Sequence, residues 1–366
     1  MQQLLVKHIG MLATPEGKAA RQGKAQGEIR ILKDAWVLIR DGIIAEIGTG
    51  DRDVPDAEVI DAGGALVTPG LVDAHTHLVF GGWRQNELGL KLHGATYLDI
   101  LAMGGGILST VNATRAATEE ALYDKAREAL DEMLSLGVTT VEAKSGYGLD
   151  LENELKQLRV IRRLAEEHPM DVAATFLGAH AVPTEYKADR QAYIRLLCEE
   201  VIPAVAKEDL AEFCDVFCET GVFSAEHLIV CPPAGIAAMA KAGTVACCLP
   251  ATSFYLGSTF APVRAMIEAG VPVAMASDFN PGSCPSLNLQ FVMNLGCLRY
   301  RMTPEEVLTA VTLNGAAAIR RADKLGSLEV GKQGDLVIWN APDLNYICYR
   351  MGSNLVRTVI KKGRPF

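Results

Sequence analysis

Basic residues are in the minority in this chain: 35 lysines and arginines face 44 aspartates and glutamates, a net charge of −9. A surface built to hold a phosphate backbone carries the opposite sign, so nucleic acid is not expected as a partner. Long hydrophobic runs are also missing. None approaches the ~20 residues of a membrane span, so no membrane partner is expected. The short apolar run at the start is broken by Lys7, which argues against a signal peptide. There is no low-complexity tract and no short-period repeat beyond the unit described next. Nine cysteines, an odd number, sit mostly inside apolar runs such as 245–249. They read as buried, reduced thiols, which suits a cytoplasmic protein better than a disulfide framework.

What is present is a repeated unit of apolar run, loop and amphipathic helix. The apolar runs are residues 66–75, 137–143, 171–177, 213–218, 226–230, 244–249 and 271–276. Helices are expected over 119–135 and 152–167 from apolar residues three and four apart, with Gly137 and Gly243 just past helix ends. Buried strands alternating with helices imply an α/β fold with a parallel sheet. Seven strands are one short of an eight-stranded barrel. The shortfall points to one place: seven residues, 219–225, cannot make the crossover that parallel neighbours need. A helix, a strand and a second helix are therefore expected to be missing there. Outside the barrel, residues 30–47 alternate around Asp41-Gly42, a hairpin signal, and 334–339 and 356–361 read as strands. The expected organisation is a small β domain from residues 1–64 and 325–366 flanking a barrel over 65–324.

The chemistry-bearing residues gather at strand ends. His75 and His77 close the first strand and point the same way, because side chains alternate along a strand. At the C-terminal end of a barrel strand that direction is the catalytic mouth, and two imidazoles there suit zinc or iron. Alone, the pair has an ordinary explanation as solvated or hydrogen-bonded histidines. Asp278 follows the last strand at the same end, as a turn cap, a metal ligand or a base for a bound water. His180 follows the third strand and His227 lies in the run at 226–230, while His8, His93 and His168 have no such setting. Arg84, on the loop after the histidine pair, has the fork to hold a carboxylate bidentately. Tyr147 lies on the glycine-rich loop after the second strand.

These stretches together resemble the amidohydrolase superfamily: the Pro-Gly-Leu-Val-Asp-Ala-His-Thr-His run ending at His77, Ser277-Asp278 after the last strand, and the Gly-Ser-Leu-Glu-Val-Gly-Lys run from Gly326. Within it, the loops 73–84, 143–148, 176–183, 214–223 and 277–283 are similar to the imidazolonepropionase family. The resemblance implies a (β/α)8 TIM-type barrel with a small β-sandwich domain built from both termini. It implies a metal-dependent hydrolase that opens the ring of 4-imidazolone-5-propanoate to N-formimidoyl-L-glutamate in histidine degradation. It further implies one divalent or trivalent metal ion, zinc or iron, with His75, His77 and Asp278 as ligands. Arg84, Tyr147, His180, Asn280, Gly282 and Ser283 match substrate contacts, and His227 matches the histidine facing the reactive water. Asp278 and His227 would thus be catalytic, and a homodimer is implied.

The chain departs from the family in one respect. The family's fifth strand ends in a His-Ala-Asp-Glu-like stretch that carries a fourth metal ligand and an acidic catalytic residue. Nothing here matches it, and the break falls between Ser224 and Ala225. Two other readings follow: another amidohydrolase, a deaminase or dihydroorotase-like enzyme, which the loops at 143–148 and 176–183 oppose; or a non-catalytic ligand-binding relative, which the missing ligand would favour.

Overall fold

A computed structural model describes residues 2–95, 99–100, 103–216 and 228–366. The chain begins with β1 (Gln3–Thr14), β2 (Arg30–Arg40), β3 (Ile43–Thr49), β4 (Glu58–Asp61) and β5 (Leu66–Pro69). It continues into the barrel strands β6 (Leu71–Asp73), β7 (Val138–Lys144), β8 (Asp171–Ala179), β9 (Phe213–Val216), β10 (Ala246–Cys248) and β11 (Val273–Met275). It returns through β12 (Leu336–Trp339), β13 (Val356–Lys361) and β14 (Arg364–Pro365).

The first and last groups form one mixed sheet, in the order β14-β13-β12-β5-β1-β2-β3, with β4 on β1. The expected hairpin joins β2 and β3, and both its turn residues, Asp41 and Gly42, have positive φ as this turn demands. Ile43 bridges Gln333, so the sheet curls round its own core of Leu4, Val6, Val37, Ile39 and Ile338. Alternation along β12 serves two cores at once: Leu336 and Ile338 face this one, Val337 and Trp339 the barrel.

The apolar run at 66–75 is divided. Leu66–Pro69 pairs with β1 and β12, whereas Leu71–Asp73 pairs with β7 in the barrel. Gly70 is the crossing point, where a Cβ would collide with the Thr139 side chain. Four barrel strands are parallel in the order β6-β7-β8-β9, and β10-β11 form a second parallel pair. A parallel bridge from Thr76 to Phe279 joins the first strand to the last. Among the described residues nothing pairs β9 with β10. The strand expected at 226–230 is not formed by its described part: Leu228 has φ 54, Ile229 and Val230 form a turn, and Val230 is 88% exposed. A barrel strand needs a hydrogen-bonded neighbour on each side, and the described residues offer it none.

The two long helices that back the site follow local rules. Thr118 caps Glu119–Ser135 by accepting from Ala121 N, and Gly137 beyond it has φ 97. Asp150 caps Leu151–Glu167 through Asn153 N. The eight described cysteines form no disulfide with one another. No helix among the described residues is long and apolar enough to cross a membrane.

A buried ion cluster ties the small sheet to the barrel. Lys361 Nζ lies 2.7 Å from both Asp171 on β8 and Asp335 before β12. Burial raises the Asp171 pKa, but Lys361 and then Lys362 and Gln333 outweigh it, and the net position is about 2. A carboxylate depressed below its ordinary 3.8 stabilises the fold above that value and loses the contribution as pH falls towards 2. Replacing Lys361 by methionine leaves buried Asp335 without its cation, while Asp171 keeps Lys362. The expected loss is about 3–5 kcal/mol in denaturant unfolding at pH 7, with a flatter acid limb. An unchanged unfolding midpoint would refute this.

Candidate active site

The Thr76–Phe279 seam builds the centre of the site. Asp278 N donates to His75 O at 3.1 Å and His77 N to Phe279 O at 2.9 Å, which sets the last-strand loop alongside the histidine pair. Asp278 has φ 56, a left-handed conformation uncommon for a side chain of this size. Its Oδ1 lies 3.4 Å from His75 Nε2 and 3.6 Å from His77 Nε2. One ligand atom from each residue falls within 4.8 Å of the others, and all three residues are buried. Burial, then neighbouring His180, holds His77 well below the usual imidazole pKa, so it is neutral and able to ligate. Its Nδ1 is buried with no hydrogen-bond partner. Two imidazoles and a carboxylate converging in a buried pocket fit a borderline metal ion. Asp73 supports the seam by accepting from Ser277 N at 3.0 Å.

A cavity of about 360 Å³ opens above this cluster. Arg84, Tyr147, His180, Asn280, Gly282 and Ser283 all line it, with His75, His77 and Asp278 at its floor. His227 lies outside the described residues. His8, His93 and His168 pair elsewhere, with Asp61, Gly89 O and Asp131.

The loops are shaped by buried polar groups that sequence reasoning did not single out. Glu154, fully buried, accepts from Gly146 N, Gly148 N and Leu149 N at 2.8–3.1 Å, while Gln157 accepts from Tyr147 N and donates to Val79 O. Helix 151–167 thus moulds the loop that presents Tyr147; two polar residues three apart on an otherwise apolar face were the available signal. His180 donates from Nδ1 to Gly146 O at 2.9 Å and stacks on His77, ring centroids 4.8 Å apart. Burial lowers its pKa to about 4, so it is a neutral imidazole whose Nε2 carries the lone pair. Asn280 Oδ1 accepts from Gly282 N and Ser283 N and folds the last-strand loop on itself.

Arg84 departs from expectation in detail. Its Nε and Nη2 edge is held bidentately by buried Glu87, at 2.9 and 2.8 Å, so that edge is not open to a ligand. Its Nη1 sits against Gly282, where a Cβ would collide with it. Lys91, one helical turn beyond Glu87, also lines the cavity and donates to Gly282 O at 3.1 Å. The three-and-four spacing of Arg84, Glu87 and Lys91 was legible; their common target was not. Lys144 is clamped between Glu142 and Asp215 at 2.9 and 3.0 Å, and Asp215 reaches the cavity.

A profile described as the amidohydrolase family matches residues 150–365. The imidazolonepropionase of Alkaliphilus metalliredigens (strain QYMF) is 48% identical, with 100% of this chain and 98% of the relative covered. The chain belongs to the imidazolonepropionase branch of the amidohydrolase family. Membership makes it a hydrolase. The imidazolonepropionase of Streptococcus sanguinis (strain SK36) is 45% identical over 99% of this chain and 97% of that relative. The Alkaliphilus alignment extends over 412 residues against 366 in this chain, so at least 46 aligned positions have no residue here. Among solved structures, E. coli guanine deaminase superposes with a TM-score of 0.72 at 15% identity, covering 100% of this chain and 99% of that one. An adenosine deaminase from Xanthomonas campestris with bound zinc gives 0.68 at 19% identity, covering 100% and 92%. At such identities these two establish the barrel fold alone. The relatives at 44–48% identity do not favour a deaminase or dihydroorotase-like reading.

Proposed function

We propose that this chain hydrolyses the ring C–N bond of 4-imidazolone-5-propanoate, yielding N-formimidoyl-L-glutamate in histidine degradation. The observation that carries the reading is the full-length similarity to imidazolonepropionases, supported by the cluster of His75, His77 and Asp278 beneath a cavity of substrate size. Those three residues would hold the metal ion, zinc or iron. Such an ion, when bound, supplies Lewis acidity and a water of lowered pKa.

The chain's own residues do the rest. Tyr147 and neutral His180 bracket the ring and orient its carbonyl towards the cluster. Asp278 takes part in moving the water's proton, and His227, on the family resemblance, meets the charge developing on the carbonyl oxygen. As water adds at that carbon, the ring C–N bond breaks and its nitrogen accepts a proton. The propanoate carboxylate is met by Arg84 Nη1 and Lys91, with the Asn280–Gly282–Ser283 loop closing that end. We also propose a homodimer in the cytoplasm, acting on a small molecule without nucleic acid or membrane partners.

The test is product analysis with zinc- or iron-loaded chain on a panel of cyclic amides and nucleobases. Formimidoylglutamate from imidazolonepropanoate is expected; ammonia from a nucleobase with no ring-opened product would overturn the reading. Replacing Lys91 by methionine is expected to raise KM by about tenfold with kcat little changed, the pattern of lost uniform binding. A fall in kcat at constant KM would remove Lys91 from carboxylate recognition.

A further inference from the structure

We propose that Thr252 is a positioning residue for the metal ligand Asp278: its hydroxyl holds one carboxylate oxygen so that the other faces the histidine pair. The inference rests on the metal-site reading above and extends it to a residue that follows a different strand. Thr252 lies in the short helix Pro250–Tyr255 that follows β10, and it is 3% exposed. Its Oγ1 donates to Asp278 Oδ2 at 2.6 Å. The other oxygen, Oδ1, is the one near both His75 Nε2 and His77 Nε2. The carboxylate is therefore divided between a hydroxyl on one side and two imidazoles on the other.

The division has a chemical consequence. The terminal torsion of an aspartate is broad, so the backbone seam places Cβ without fixing the plane of the carboxylate. A hydrogen bond to Oδ2 fixes that plane. It also competes with any ion for Oδ2, which favours one-oxygen ligation and leaves a coordination position for water or substrate. Groups that orient a ligand in this way typically change metal affinity by about 10–100-fold.

The test is zinc titration of the metal-free chain against a chromophoric chelator, which needs no turnover. Thr252→Val is expected to weaken zinc binding by about 10–100-fold, and Thr252→Ser to stay near the parent. In an Asp278→Ala background, Thr252→Val is expected to add no further loss, because its effect runs through that carboxylate. Thermal unfolding of each metal-free chain checks the packing. If valine disturbs it, Thr252→Ala against Thr252→Ser decides the matter, since both remove the methyl and only serine keeps the hydroxyl. Parent-like zinc affinity in the hydroxyl-free chains would overturn the proposal, as would an equal loss without Asp278. A parent chain that binds no zinc would instead overturn the metal-site reading, and this inference with it.

Discussion

Asp278→Ala is expected to cut kcat by a factor on the order of 10³ or more, because it removes a metal ligand and a proton-handling group together. The carboxylate is 2% exposed, touches both histidines and accepts from Thr252. Its loss leaves two imidazoles and no negative charge, which weakens cation binding in a buried pocket. Zinc content after dialysis should fall in parallel with turnover. Asp278→Asn sharpens the experiment: the amide keeps the shape and an oxygen for the Thr252 hydroxyl, so its fold should match the parent while activity stays low. Near-normal turnover in either variant would remove Asp278 from the mechanism.

The second large effect concerns the segment that this chain lacks relative to the imidazolonepropionases. We propose that the at least 46 unmatched positions of the Alkaliphilus alignment fall between Ser224 and Ala225 and contain a helix, a strand and a helix. Three observations favour that place: the short connection at 219–225, the absence of a match to the family's fifth-strand histidine, and the lack of pairing between β9 and β10 among the described residues. Inserting the corresponding segment of a relative at that junction should raise turnover by about 10²–10⁴-fold, the range for restoring a general acid or base. Zinc affinity should rise with it. Asp215 and its Lys144 partner, which line a second cavity, would then face a strand. An insertion chain that folds but is no faster would refute the assignment. Selective loss of activity on replacing the inserted histidine would strengthen it.

Much of this protein was legible from local pattern. The helix over 119–135 was readable residue by residue, because a 3.6-residue apolar period and a glycine just beyond its end are local facts. The hairpin at Asp41-Gly42 and the common direction of His75 and His77 were readable for the same reason. Alternation along a strand needs no knowledge of the rest of the chain. The loops 143–148 and 277–283 were recognisable as family stretches, which is how Asn280, Gly282 and Ser283 came to attention before any geometry was known.

Other features were decided only by the tertiary structure, each for a stated reason. The run at 66–75 holds the breaker pair Pro69-Gly70, but that Gly70 is the crossing from one sheet to the other is shown only by the strand pairing on either side and by the Thr139 side chain against it. Arg84 carries a fork suited to any carboxylate, and only the fold shows that Glu87 occupies one edge of it. Lys361 ends the strand expected at 356–361, and only the fold brings Asp171, 190 residues away, beside it. Thr252 and Asp278 are 26 residues apart, one in the short helix after β10 and the other in the loop after β11. A hydroxyl in one element and a carboxylate in another carry no periodic signal. By itself the sequence determined which residue types stand at the mouth of the barrel. The closing of the first strand against the last decided which of them touch, because a hydrogen bond depends on distance in space and not along the chain.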